Sequence, residues 1–354
     1  MKRKIGLLFG GKSVEHEISI RSAKNVFAAM DKDHFEVVPI GISKAGDWYL
    51  CTEVSTEIEK GKALSVRLSA ASPLFETDGQ SFSLDLIFPV LHGTDGEDGS
   101  VQGLFAVLDF PVVGSGVSGS AVSMDKVLSK RILKNAGVPV ADYIAFSVHE
   151  KAEYTYERLV EKLGSPFMVK AGNLGSSVGI SKVKTSDDYE KALADSFTYS
   201  QQVLCEAYIS GRELECGVIG NEHPQTTLPG EIVLKKHYEF YTYEAKYQDE
   251  EAIEIVVPAN VSEEESAKIR KSCTDAYQAL GCNDYARVDL FLTENGSVII
   301  NEINTIPGFT NVSMFPMLWQ HMGISYPQLI SRLIESCLER TEKEKSLKTH
   351  YPNA

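Results

Sequence analysis

No run of apolar residues in this 354-residue chain approaches the ~18 that a membrane-crossing helix needs, so no spanning segment is expected. The start, Met1-Lys2-Arg3-Lys4 and then Ile5-Gly6-Leu7-Leu8-Phe9, imitates a secretory leader, but its apolar part is too short and stops at Gly10-Gly11. It reads as a first strand. Cysteine is sparse and unpatterned: Cys51, Cys205, Cys216, Cys273, Cys282 and Cys337 form no C-x-x-C and stand beside no histidine pair. Reduced, packed thiols in a cytoplasmic protein are expected. Positive charge is in short supply too. A net charge of −14 repels phosphate backbones and anionic lipid surfaces, so neither nucleic acid nor membrane is an expected partner. A nucleotide ligand would need local lysines, arginines or metal ions. No internal repeat is apparent.

What is present has the balance of a folded globular chain, with 43% hydrophobic and 24% charged residues. The length suits two or three domains of about 100–200 residues each. Texture divides it at 1–114, 115–205 and 206–344, with 345–354 as a frayed tail. In the first part, β-rich runs (Ile5–Phe9, Val37–Ile42, Leu86–Leu91, Pro111–Val113) alternate with helix-like segments (Ser19–Met30, Leu104–Leu108), the pattern of an open, mostly parallel α/β sheet. The span Cys51–Phe82 gives no clear period. The second part reads as a small α+β unit opening on a helix at Asp125–Asn135. The third has longer strands, including Glu213–Ile219, Ala286–Leu292 and Val298–Ile303, with helices near Glu263–Leu280 and Ser325–Lys343.

Two short motifs mislead. Gly6-Leu7-Leu8-Phe9-Gly10-Gly11-Lys12-Ser13 fits the P-loop pattern letter for letter, but Leu7, Leu8 and Phe9 are themselves the strand, where a P-loop needs loop amides. Gly114-Ser115-Gly116-Val117-Ser118-Gly119 fits a dinucleotide fingerprint, yet Lys134 and Asn135 stand about 20 residues on, where an acidic residue is required. It reads as a glycine-rich turn between domains.

The strongest chemical signal is Ala286–Leu292, Thr293-Glu294-Asn295-Gly296, then Ser297–Asn304. Two β-rich runs around Asn-Gly predict a tight hairpin. With Asn295-Gly296 as its turn, Asp289 faces Glu302 and Arg287 faces Asn304 on one face, with opposed Cβ atoms ~4.5–5.5 Å apart. Two facing carboxylates repel unless a cation lies between them, and Asp289, Glu302 and the Asn304 amide oxygen suit Mg²⁺. The alternative is a solvated, merely structural face; Val288, Leu290, Ile299 and Ile303 on the other face favour the metal. A second element, Val169-Lys170 followed by the small-residue loop to Gly179, offers amides, hydroxyls and a point charge to phosphate. The loops Gly10–Ser19 and Leu91–Ser100 follow strands, where open α/β sheets bind ligands.

Taken in order, several segments resemble the D-alanine–D-alanine ligase family over nearly the whole chain. They are Gly10-Gly11-Lys12-Ser13-Val14-Glu15-His16-Glu17, His92-Gly93 with Gly96-Glu97-Asp98-Gly99, Met124-Asp125-Lys126, and Gly175-Ser176-Ser177-Val178-Gly179. Tyr243-Glu244-Ala245-Lys246-Tyr247, Arg287-Val288-Asp289 and Asn301–Gly308 complete the set. The resemblance implies an α/β chain: an N-terminal open parallel α/β domain followed by a two-lobed ATP-grasp fold. It implies ligation of two D-alanine molecules at the expense of ATP, through a D-alanyl phosphate, in a homodimer. Carried over residue by residue, it assigns ATP to Lys126, Lys170, Ser176, Ser177, Lys246, Asn301 and Glu302, with Glu206 and Ile209 at the adenine edge and Glu213 at the ribose. Asp289, Glu302 and Asn304 would hold two Mg²⁺, for which Mn²⁺ can substitute. Glu15, with His92 nearby, would bind the first ammonium; Arg287 and the Gly308 amide would stabilise the oxyanion. Ser313 and Met314 would receive the second substrate, and Ser176 and Tyr247 would hydrogen-bond with Glu15. Many relatives have proline where Ala171 stands, which implies a looser phosphate loop here. Another ATP-grasp ligase, a nicotinamide enzyme or a non-catalytic nucleotide binder would each share only part of this set.

Overall fold

An unbroken apolar run is the pattern of a strand buried on both faces, and the first such run is an interior strand of the first sheet. In the computed structural model, which describes residues 2–68, 74–173, 175, 179–235 and 252–348, it is β1 (Arg3–Gly10). α1 (His16–Ala29) and β2 (Phe35–Ile42) follow, then two antiparallel edge strands, β3 (Trp48–Leu50) and β4 (Lys62–Ala63). The span that gives no clear period from sequence carries a separate three-stranded sheet, β5 (Ser65–Arg67), β6 (Leu74–Thr77) and β7 (Gln80–Phe82). β8 (Leu86–Val90) then pairs parallel to β1, and α2 (Ser100–Ala106) follows. The order β4-β3-β2-β1-β8 reverses direction at β1, so the loops after β1 and β8 open on the crevice where such sheets bind ligands. Pro111–Val113 is not a full strand: Val112 makes one parallel bridge to Ile87.

The glycine-rich stretch 114–119 leads into an unanticipated helix, α3 (Val117–Met124). A Cβ on Gly119 would lie 2.5 Å from the Gly281 carbonyl oxygen, so glycine there permits close packing. α4 (Lys126–Asn135) starts at Asp125, whose carboxylate accepts from the amides of Val127 and Leu128. β9 (Tyr143–Ser147), α5 (Tyr156–Leu163), β10 (Phe167–Ala171), β11 (Ile180–Val183), α6 (Ser186–Tyr199) and β12 (Gln202–Ala207) form the central unit. Its antiparallel sheet has the order β11-β10-β12-β9.

β13 (Arg212–Ile219), β14 (Gln225–Thr226), β15 (Gly230–Leu234), β16 (Ile253–Val256), α7 (Glu263–Ala279), β17 (Tyr285–Leu292) and β18 (Val298–Asn304) build the last sheet, ordered β16-β15-β13-β17-β18. Ile269, Cys273 and Ala276 of α7 pack on Val288, Leu290 and Ile300, filling one face. α8 (Met314–His321) and α9 (Tyr326–Lys345) close the chain. They return to its beginning: Phe315, Trp319 and Leu333 share one core with Ile5, Leu7 and Phe88. All six cysteines are free thiols.

The β17–β18 hairpin differs from the expected two-residue turn. The Thr293 amide donates to the Ser297 carbonyl at 3.0 Å and Gly296 adopts φ +73°, so the loop holds three residues and its register is offset by one. A second irregularity restores it. Leu290 faces Ile300 but Asp289 faces Glu302, which leaves Asn301 as the extra, bulged residue. Asp289–Glu302 and Arg287–Asn304 are thus cross-strand neighbours as expected, through two cancelling shifts.

Candidate active site

Two cavities meet at Glu302. The smaller, about 350 Å³, lies between the central sheet and the last sheet and is lined by Lys170, Glu206, Ile209, Glu213, Asp289 and Asn301 among others. Lys170 projects from β10 and Glu206 from the neighbouring β12, where Met168 is the cross-strand partner of Glu206. The Lys170 ammonium reaches one Glu206 carboxylate oxygen and donates to Asn301 Oδ1 at 3.2 Å. Burial opposes the charge on both groups. For Glu206, Lys130 and Lys170 outweigh it and hold the carboxyl down to about 2. For Lys170, Glu206 and then Glu302 outweigh it and raise the ammonium above its ordinary range. The stem of the small-residue loop is pinned: Ala171 N donates to Gly179 O, Gly172 N to Gln202 O, and Lys126 N to Gly172 O. A proline at 171 would forfeit the first of these bonds.

On the last sheet, alternation and register put Glu215, Asp289 and Glu302 in one row across β13, β17 and β18. Three adjacent carboxylates need cations. Arg287 supplies one, its Nε and Nη2 each 2.7 Å from an Asp289 oxygen and its Nε 2.9 Å from Glu215. Lys126 supplies another, 3.4 Å from Glu302. Asn304 Nδ2 donates to Asp289 at 3.0 Å. The bulge leaves Asn301 and Glu302, consecutive in sequence, both lining the cleft.

The larger cavity, about 560 Å³, is bordered by Glu15, His92, Glu97, Lys126, Arg287 and Gly308 among others. Its floor is tied together by short polar contacts. Ser13 Oγ donates to His92 O at 2.6 Å and accepts from Glu15 N at 3.1 Å, linking the loops after β1 and β8. Gly93 has φ +75°, and a Cβ there would lie 2.8 Å from Glu15 Oε2. The Ile306–Phe309 loop hangs on the same frame: Glu97 accepts from Gly93 N (2.7 Å) and Ile306 N (3.3 Å), and Ser22 Oγ accepts from Phe309 N (3.2 Å). His92 donates from Nδ1 to Ile306 O and accepts at Nε2 from the Ser22 hydroxyl, both at 3.0 Å. Burial lowers its pKa, against Glu15, so the ring is neutral. Burial and then Glu15 push Glu97 up to about 8. Glu97 is half-buried and borders the larger cavity.

Of the residues singled out from sequence, Glu15, His92, Lys126, Arg287, Asn304, Gly308, Ser313 and Met314 line the larger cavity. Lys170, Glu206, Ile209, Glu213, Asp289 and Asn301 line the smaller, and Glu302 borders both. Ser176, Ser177, Lys246 and Tyr247 lie outside the described residues. Sequence reasoning missed Glu215, Glu97 and Lys130 as members of the site. Glu215 was signalled by its spacing, two residues after Glu213 in a strand; Lys130 by its place one helical turn after Lys126.

The D-ala D-ala ligase N-terminus family profile matches residues 4–115, and the D-ala D-ala ligase C-terminus profile matches 132–335. D-alanine–D-alanine ligase A of Salmonella typhimurium is 45% identical, with 98% of this chain and 99% of that protein covered. Among solved structures, the D-alanine-D-alanine ligase from Coxiella burnetii superposes with a TM-score of 0.88 at 36% identity, covering 97% of this chain and 96% of that one. The VanG D-Ala:D-Ser ligase from Enterococcus faecalis superposes with a TM-score of 0.86 at 32% identity, covering 95% and 100%.

Proposed function

The chain belongs to the D-alanine–D-alanine ligase family, and from that premise we propose that it joins two D-alanine molecules, using ATP, into the dipeptide of peptidoglycan precursors. The observation that carries this reading is the junction of two cavities at Glu302, the smaller edged by Lys170 and the larger by Lys126 and the carboxylate of Glu15. Hydroxide is too basic to leave an amino-acid carboxylate. Transfer of the γ-phosphoryl group of ATP makes a D-alanyl phosphate, which the amine of the second D-alanine attacks, releasing phosphate and leaving ADP. Glu15 holds the first ammonium. Lys126 and Lys170 neutralise and align the phosphates, the main demand of phosphoryl transfer. Arg287, already fixed by Asp289 and Glu215, meets the oxyanion together with the Gly308 amide without reorganising. Ser313 takes the second carboxylate, with Met314 beside it. Neutral His92 serves as a contact and a brace.

The donor set fits a hard cation: Asp289 and Glu302 are direct cross-strand neighbours and offer only oxygen. Among the described residues, no three acidic, histidine or cysteine side chains converge to hold an ion by themselves. Asp289, Glu302 and Asn304 would therefore hold Mg²⁺, two ions by family expectation or Mn²⁺ in their place, with phosphate oxygens completing the shell. Bound there, the metal supplies charge neutralisation. Ser176, Ser177, Lys246 and Tyr247 keep the loop and ATP roles that the resemblance implies. A cytoplasmic homodimer belongs to the same reading; among the described residues no helix is long and apolar enough to cross a membrane. ADP release in the presence of Mg²⁺ should require D-alanine. Equal turnover with L-alanine would overturn the assignment.

A further inference from the structure

Lys130 is among the most enclosed charged groups of the chain. It is 2% exposed, and its ammonium stands 2.8 Å from Glu206 Oε2, near enough for an ion pair though not well aligned as a hydrogen bond. The other Glu206 oxygen takes Lys170. Glu206 and Lys170 line the smaller cavity; Lys130 is not among its lining residues and stands behind them. Lys126 and Lys130 lie one turn apart on α4, so one helix face serves both ends of the cleft: Lys126 reaches Glu302, and Lys130 reaches Glu206.

A buried ammonium is costly unless it is paired, and burial together with Lys170 and Lys126 works against the charge on Lys130 while Glu206 supports it. An apolar residue would fill that place more cheaply if packing were its whole purpose. What the ammonium adds is control of the carboxylate in front of it. Clamped from behind, Glu206 is fixed in orientation and remains an acceptor with no proton to give. A carboxylate of that kind admits a base edge that donates a hydrogen, such as the 6-amino group of adenine. It rejects a 6-oxo edge, which presents an acceptor to an acceptor.

We propose that Lys130 is a positioning residue for nucleotide selection: through Glu206 it makes the site prefer ATP over 6-oxopurine triphosphates. The inference rests on the reading that Glu206 meets the adenine edge. The test is steady-state ADP or IDP release with ATP and with ITP, at saturating D-alanine and Mg²⁺, in wild type, Lys130→Met, Glu206→Gln and the double variant. The ATP/ITP ratio of kcat/KM does not depend on how much protein is folded, so a merely structural role leaves it unchanged. Lys130→Met is expected to lower that ratio about tenfold, mainly by raising KM for ATP, as the loss of one well-placed polar contact does. Added to Glu206→Gln, it should change the ratio by less than about twofold, because residues acting as one unit are not additive. If Glu206→Gln loses the preference and Lys130→Met keeps it, the proposal falls while Glu206 stays at the adenine. If Glu206→Gln itself keeps the preference, the adenine reading fails and takes the proposal with it. Lys130→Gln, which retains a donor without the charge, carries the same comparison should the methionine variant not fold.

Discussion

Glu97 couples the loop after β8 to the Ile306–Phe309 loop through two accepted amides, and its proton has a measurable consequence. Folded Glu97 keeps that proton to about 8, against an ordinary value of 4.5. Between those values the folded chain binds more protons than the unfolded one. The contribution of Glu97 to stability without substrate is therefore fully present below the lower value and falls as pH rises, by no more than about 1.4 kcal/mol per unit. Glu97→Gln should flatten this slope; urea midpoints from pH 5 to 8 with the wild-type slope would remove the effect. Asp289 makes a second case. Holding Arg287 at two points and Asn304 at a third, it should tolerate Asn in shape but not in charge. Asp289→Asn is expected to lower kcat by about a hundredfold or more with an unchanged melting temperature, and near-normal ADP release would exclude it from the chemistry. Glu15 and His92, on motif loops, and Lys170, near the end of β10, could be placed at the cavities from sequence because each sits in a distinctive local string. Glu215 and Lys130 carried only a spacing from Glu213 and from Lys126 as a signal, since the partners they meet stand on other elements that the string does not display.

At the scale of the element, the β17–β18 hairpin shows how a sequence can indicate the right contacts through the wrong turn. Asn295-Gly296 marks a reversal, but Gly296 takes the left-handed position of a three-residue loop rather than the second place of a two-residue one. The compensating residue, Asn301, lies in an ordinary-looking apolar-polar run, and a bulge leaves no signature there beyond two successive polar residues, Asn301 and Glu302. This arrangement makes a specific prediction. Deleting Asn301 leaves Leu290 facing Ile300 and Asp289 facing Glu302 in a regular ladder, so the fold should persist. What disappears is the Lys170–Asn301 bond and the local twist that aims both side chains into the cleft. The deletion variant should melt within about 4 °C of wild type, the shift expected for a kcal/mol or so, yet bind ATP at least about tenfold more weakly. Complete unfolding, or unchanged nucleotide binding by calorimetry, would contradict the role of the bulge.

For the molecule as a whole, the joining of the chain's ends was not legible in the sequence, because packing between Leu7 and Leu333 in one core imposes no local period on either segment. Long stretches of sequence also separate the parts of a buried junction. Asp284 is fully buried, at 0% exposure with φ +58°, and stands just before β17. It accepts from Gly114 N (2.9 Å), Asn221 Nδ2 (3.2 Å), Ser336 Oγ (3.1 Å) and Arg340 Nη2 (2.9 Å). Arg340, on α9, also donates to the carbonyls of Val112 and Gly114. One ion pair thus fastens the strand-to-helix linker, the start of β17 and the last helix. Arg340→Met leaves the Asp284 charge buried and short of its strongest partner, a change that typically costs about 3–5 kcal/mol. Neither residue borders either cavity, so kcat at low temperature should stay within about twofold. Pairing the change with Asp284→Asn removes the stranded charge, and the double variant should recover part of the loss instead of adding to it. Urea unfolding of the four proteins decides the matter: strictly additive losses, or a loss below about 1 kcal/mol for Arg340→Met, would mean that the core shared by the chain ends, and not this ion pair, holds the three parts in register.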